Sequence, residues 1–237
     1  MRNLFTIKSA SLLLVFSIAA LSLKAQETKD FQIKNFTEIS VASGIDLYLT
    51  QGSAEQVKVV THSDLMKNLV IIKEGNALKI SYKDNVSWSR IVKGQSIKVY
   101  VSYKTLQALS ASGGSDVYTQ NTLKTDRLVV KGSGGSDLKL NVVTKDIQIQ
   151  ISGGSDVELK GTGVNMDAKA SGGSDIDAYG FVTEYAKVTV SGGSDGNVNV
   201  SKALEASATG GSDVNYKGNP SVKKTSLSKS GDVNKID

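Results

Sequence analysis

Apolar and polar residues alternate strictly over short stretches through most of the chain. The pattern is clearest at Ile147-Gln-Ile-Gln-Ile151, Met166-Asp-Ala-Lys-Ala170, Ala186-Lys-Val-Thr-Val190 and Leu204-Glu-Ala-Ser-Ala208, and it recurs at Leu138-Lys-Leu140, Val157-Glu-Leu159 and Ile176-Asp-Ala178. A period of two puts every second side chain on the same face, so each stretch predicts a strand with one buried and one solvated face. No ten-residue stretch carries a 3.6-residue period, so helical repeats are not expected.

Between these strands runs a repeated punctuation. Ser-Gly-Gly-Ser-Asp begins at Ser112, Ser133, Ser152, Ser171 and Ser191, a Thr-Gly-Gly-Ser-Asp copy begins at Thr209, and a worn copy survives as Ser230-Gly231-Asp232. The Asp residues fall at 116, 137, 156, 175, 195, 213 and 232, in steps of 21, 19, 19, 20, 18 and 19. A period near 19 residues made of short strands predicts an all-β chain, a right-handed parallel β-helix with one repeat per coil. Stacking the repeats builds two inward columns: Val130, Ile149, Ala168, Val188, Ala206 and Leu227 in one, Val117, Leu138, Val157, Ile176, Val214 and Val233 in the other. Gly196 interrupts the second column and is expected to be a weak point.

The punctuation reads as corner chemistry. Glycine permits positive φ where the chain reverses, and Ser and Asp side chains can bond amides that the turn exposes. The same stacking sets Asp116, Asp137, Asp156, Asp175, Asp195 and Asp213 in a row of like charges. At a rung spacing of ~4.8 Å, neighbouring unit charges repel by roughly 0.9 kcal/mol in water and about 3.5 at an effective dielectric of 20. Hydrogen bonds from the Ser and Gly amides of the corner are the expected main remedy. Proton uptake and oxygen-ligated cations such as calcium are the others. This row is the candidate metal site, a weak cation ladder, and no other cofactor is expected.

Residues 26–105 lack the exact repeat but stay β-rich, as at Ile45-Asp-Leu-Tyr-Leu49, Leu78-Lys-Ile-Ser-Tyr82 and Ile97-Lys-Val-Tyr-Val-Ser-Tyr103. They are expected to form an earlier, irregular section that closes the N-terminal end of a single domain, 26–237, with the regular repeats over 106–237. Thr225, Ser226, Ser228 and Lys229 replace apolar residues in the last repeat and predict a polar cap. Residues 1–25 carry Arg2 and Lys8, then an apolar run from Leu12 to Leu23, too short for a span of ~20 residues. They predict a signal peptide cleaved before Gln26, the alternative being an uncleaved N-terminal anchor, and no other stretch could span a membrane as a helix.

Charge and composition narrow the chemistry. The chain has 28 basic and 23 acidic residues, or +5. Losing Arg2, Lys8 and Lys24 with the leader leaves 25 against 23, or +2. With no basic run interleaved by aromatics, a nucleic-acid partner is not expected. Absence of Cys excludes disulfides, thiolate metal sites and Cys nucleophiles. The single His62 cannot build a His cluster and is expected at a surface or turn.

Two phrases, Phe36-Thr-Glu-Ile-Ser-Val-Ala-Ser-Gly-Ile-Asp-Leu47 and Leu106-Gln-Ala-Leu-Ser-Ala-Ser-Gly-Gly-Ser-Asp116, resemble the head GIN domain family. The resemblance covers nearly all of the mature chain. It implies a parallel β-helix in an exported bacterial protein of adhesin type, and brings no catalytic residues with it. No membrane barrel is expected after the repeats, since the chain ends at Asp237 without a terminal aromatic.

The expected function is an exported, non-enzymatic β-solenoid, a cell-surface or periplasmic adhesin-like binding or structural module. Its expected location is the periplasm, the outer-membrane surface or the extracellular space, and its expected partner a surface polysaccharide or another protein. The alternative is a polysaccharide-processing β-helix enzyme, because that fold also hosts lyases and hydrolases. Such an enzyme needs a local exception to the repeat where unlike groups meet, and the sequence displays none. Ice binding would need repeated outward Thr pairs, which the outward rows lack.

Overall fold

A computed structural model describes residues 26–83, 96–225 and 230–236. The expected leader, residues 1–25, lies outside the described residues, as do Ser226, Leu227, Ser228 and Lys229. In chain order the elements are β1 (Gln26–Phe31), β2 (Glu38–Ala42), β3 (Ile45–Gln51), β4 (Gln56–His62), a single turn of helix α1 (Ser63–Met66), β5 (Leu69–Glu74), β6 (Ala77–Tyr82) and β7 (Ile97–Tyr103). Next come β8 (Ala108–Ser112), β9 (Val117–Thr119), β10 (Leu123–Ser133), β11 (Asp137–Ser152), β12 (Asp156–Ser171), β13 (Ile176–Ser191), β14 (Gly196–Thr209), β15 (Ser212–Lys217), β16 (Ser221–Lys224) and β17 (Gly231–Lys235).

From β8 onward each coil lies parallel on the one before it. The coils β11, β12 and β13 are each 16 residues of extended chain, broken only by the glycine corner. Their alternation is the reason: inward residues such as Ile149, Ala168, Val188 and Leu138, Val157, Ile176 are fully buried while their sequence neighbours face out. The two expected columns form in register, Val130 to Ile149 to Ala168 to Val188 to Ala206 and Val117 to Leu138 to Val157 to Ile176, then Gly196, Val214 and Val233.

Two details differ from the sequence reading. Ala206 is opposite Lys224, an exposed residue, so among the described residues the first column ends on a lysine; Leu227, expected there, lies outside them. Gly196 is not a defect. A Cβ there would lie 2.9 Å from Val188 Cγ1 and 3.1 Å from Val190 Cγ1, so valines of the preceding coil already occupy that space.

The N-terminal section lies at one end of the stack, and its coils are out of chain order. The β2 strand lies between β6 and β8, and β3 between β7 and β9, all parallel. The first coil in sequence is therefore second in space. Beyond it β4 runs antiparallel on β7, β1 antiparallel on β4, and β5 antiparallel on β6. A two-residue Gly75-Asn76 turn with Gly75 at φ 58° makes the β5–β6 hairpin. At the other end the Lys224 ammonium donates to the Val233 carbonyl at 2.8 Å. That lysine covers the last coil, as an edge guard should.

Candidate functional site

The corner motif divides its labour residue by residue. Both glycines have φ between 61° and 74° in all six full copies. The first also packs tightly: a Cβ on Gly134, Gly153, Gly172, Gly192 or Gly210 would lie 3.2–3.5 Å from the backbone nitrogen of the glycine in the preceding coil. The second serine is fully buried at Ser115, Ser136, Ser155, Ser174, Ser194 and Ser212. In five of the six the hydroxyl accepts the buried amide of the preceding coil: Ile45 N–H to Ser115 at 3.2 Å, Ser136 to Ser155 and Ser155 to Ser174 at 3.1 Å, Ser174 to Ser194 and Ser194 to Ser212 at 3.0 Å; the Ser136 hydroxyl donates to the Ser133 carbonyl at 3.0 Å. These serines are therefore internal rungs that keep a buried turn amide bonded.

The structure places the candidate aspartates in one outward row along the axis. Asp137 pairs with Asp156, and Leu138 with Val117, which sets Asp137 beside Asp116. The expected amide bonds exist with a different donor. Four of the carboxylates take the backbone N–H of the next aspartate, not of Ser or Gly: Asp175 to Asp156 at 3.1 Å, Asp195 to Asp175 at 2.8 Å, Asp213 to Asp195 at 3.2 Å and Asp232 to Asp213 at 3.1 Å, whereas the Asp156 amide beside Asp137 donates to the Ser136 carbonyl at 3.1 Å. The parallel register produces this, because the amide of one rung points at the side chain of its neighbour. Asp116 instead accepts the Tyr118 hydroxyl at 3.4 Å. No cluster of three or more His, Asp or Glu side chains suited to a metal ion occurs among the described residues.

At the N-terminal end of this face the row of outward neighbours is aromatic. Tyr48 stacks on Tyr100 with centroids 4.9 Å apart and on Tyr118 at 5.3 Å. Burial raises the Tyr48 and Tyr118 hydroxyls above the ordinary phenol range, followed by the carboxylate of Asp46 for Tyr48 and of Asp116 for Tyr118. Asp46 is itself raised, by burial first and by Asp116 second, against the pull of Lys98.

On the other side of the corner, the outer face of the preceding strands holds a shallow groove of about 610 Å³ spanning β8, β10, β11, β12 and β13. One row along it is Ser112, Ser133, Ser152, Ser171 and Ser191, continued by Thr209. The parallel row is Ser110, Lys131, Gln150, Lys169 and Thr189. No carboxylate lines the groove.

A second depression, about 450 Å³, contains Arg127, Asp146, Gln148, Asn165 and Asp167. Its row reads Arg127, Asp146, Asn165, Tyr185 and Ala203 along the axis, never the same residue twice. Asn165 donates to Asp146 at 2.8 Å, and one Asp167 carboxylate oxygen is buried without a hydrogen-bond partner. This is the exception to the repeat that sequence reasoning missed. The signal was Arg127, the one arginine among the described residues. His62, at the end of β4, is half-buried with an unpartnered Nδ1 and belongs to neither depression.

Solved structures share this architecture. A "putative adhesin" of Bacteroides fragilis NCTC 9343 superposes with a TM-score of 0.80 at 23% identity, over 90% of this chain and 98% of that one. A "putative lipid binding protein" of Parabacteroides distasonis ATCC 8503 gives 0.73 at 20% identity, over 90% and 97%. A "putative adhesin" of Parabacteroides merdae ATCC 43184 gives 0.68 at 18% identity, over 90% and 96%. No curated protein matches the sequence. Residues 35–220 match the family described as "Putative auto-transporter adhesin, head GIN domain". That match takes in the inverted N-terminal coils and every full copy of the corner motif, and the chain belongs to the head GIN domain family.

Proposed function

We propose that this protein is an exported, non-enzymatic binding module of adhesin type, residues 26–237 acting as one domain after loss of a 1–25 leader, at the cell surface or in the periplasm. The observation that carries the proposal is the groove beside the corner, repeated over successive coils with its hydroxyl row unused by the fold. A repeated outer face suits attachment to an extended partner, because each coil offers the same contact one rung further on. In this reading the aspartate row is primarily structural. Cation binding along it would be weak beside the amide bonds, and a calcium titration followed by melting detects it. The proposal is tested by fractionating cells that express the protein and measuring their adherence with and without it. Recovery in the cytoplasm with Met1 intact, or unchanged adherence on deletion, overturns it.

The depression around Arg127 favours one second reading, a polysaccharide-processing enzyme. It gathers two carboxylates, two amides and a guanidinium on one face. New chain ends released from acidic or neutral polysaccharides by the wild type and not by Asp167→Asn would establish it, and intact polymer would remove it.

A further inference from the structure

We infer that the groove beside the corner takes an extended acidic polysaccharide, laid along the solenoid axis with a carboxylate on alternate sugars. This names the partner of the proposed binding module and rests on that reading.

The first argument is what the fold leaves over. In the corner motif the glycines supply the left-handed turn, the second serine bonds a buried amide, and the aspartate bonds the next rung's amide. The first serine does none of this. Among the described residues the hydroxyls of Ser112, Ser133, Ser152, Ser171 and Ser191 take part in no hydrogen bond within the chain, and all five face outward. Small hydroxyls at successive rungs keep the groove floor low and offer a donor and an acceptor every ~4.8 Å.

Charge supplies the second. Lys131 and Lys169 are exposed, lie in the adjoining row with Gln150 between them, and form no ion pair among the described residues. Asp167, two residues before Lys169 and therefore one outward row away, acts on Lys187. The groove is thus cationic, whereas the far side of the corner carries the aspartate row. An acidic polymer is drawn to the first and repelled by the second.

Spacing supplies the third. The two lysines are two rungs apart, roughly 10 Å. A pyranose advances its chain by about one rung, so a sugar polymer lying along the groove brings every second residue opposite a lysine. The sugars between would meet Gln150 and the serine row through hydroxyl contacts.

The experiment measures binding of the mature protein to three probes: hyaluronan, with a carboxylate on alternate sugars; polygalacturonate, with one on every sugar; and dextran, with none. Each is run on wild type, on Lys131→Glu with Lys169→Glu, and on Lys139→Glu, whose lysine is on the aspartate face. Melting curves confirm folding, and the Lys131→Gln, Lys169→Gln pair replaces the charge reversals if those melt early. The expected result is tightest binding to hyaluronan, weakened by added salt, about tenfold or more weaker in the double variant and unchanged in Lys139→Glu. Equal binding of dextran, or a double variant that binds like wild type, overturns the recognition of acid. Equal binding of polygalacturonate and hyaluronan overturns the preference for a carboxylate on alternate sugars. No binding to any probe while cells still adhere removes the polysaccharide and leaves the adhesin-type reading standing; loss of both removes both.

Discussion

Ser174→Ala isolates the internal serine rungs. Ser174 is fully buried, and its hydroxyl accepts the Ser155 amide at 3.1 Å. Alanine is nearly isosteric, so little cavity forms. What is lost is the acceptor of a buried N–H that has no water to turn to. Orphaning such a donor costs ~1–3 kcal/mol, or roughly 2–12 °C of melting temperature in a chain of this size. Ser171→Ala, three residues earlier, removes an outward hydroxyl with no partner in the fold and should stay within about 0.5 kcal/mol of wild type. Because a solenoid need not unfold as one unit, denaturant midpoints are best paired with amide exchange. Exchange of the Ser155 amide should accelerate in Ser174→Ala and not in Ser171→Ala. If the two variants melt together, or the Ser155 amide keeps its protection, the buried serines are not holding the turn amides and the account of the motif is wrong.

Ile149→Asp puts a charge into the fully buried column and should misfold or strongly destabilise the chain, while Gln148→Asp on the outer face should be tolerated; equal melting temperatures would refute the alternation. Asp46 has its carboxyl raised above the ordinary 3.8 by burial and by Asp116, so its ionisation opposes folding and the favourable contribution of its neutral form fades as pH rises through the raised value. Asp46→Asn should therefore be more stable than wild type at neutral pH, with the gap closing below about pH 4; a gap that widens on acidification would contradict the shift. Ser43 sits at φ 74° where later corners have the first glycine, at a cost of ~1–2 kcal/mol for an L-residue. Ser43→Gly should gain about 0.5–1 kcal/mol once glycine's extra unfolded freedom is subtracted, and a lower denaturant midpoint would show that the serine is not strained.

The regular coils were legible because two independent periods coincide in them. Alternation picks out which side chains go in, and the aspartate spacing says which coil each belongs to; together they place Val130, Ile149, Ala168, Val188 and Ala206 in one column without further information. Neither period extends to residues 26–105. There the Val41-Ala-Ser-Gly-Ile-Asp-Leu47 phrase marks a coil, but nothing local says that it pairs with residues on both sides of itself in space. The Gly75-Asn76 hairpin was the available clue. For the corner, the residue types were legible and their partners were not: serine and aspartate both suit turn amides, and only the register between rungs decides which amide each receives. The Arg127 depression was hidden for the opposite reason. Its members are ordinary outward residues in sequence, and their difference from one coil to the next matters only once the rows are aligned.

The inverted order of the first coils constrains when the chain can fold. The β2–β3 coil receives its two parallel neighbours from β6–β7 and β8–β9, so its walls are incomplete until Thr119 has emerged during synthesis. A coil of the regular section needs only the ~19 residues before it to begin stacking. Growth of the folded state by simple extension from the N-terminus is therefore closed to this chain. Its nucleus must either span residues 38–119 in one non-local step, slow by the loop closures it requires, or start among β10 to β14 and proceed backward to the cap. By the same geometry, duplication or deletion of one ~19-residue unit can lengthen or shorten the solenoid within the regular section at little topological cost. The same event among the first three coils would leave a strand with no neighbour to take its place.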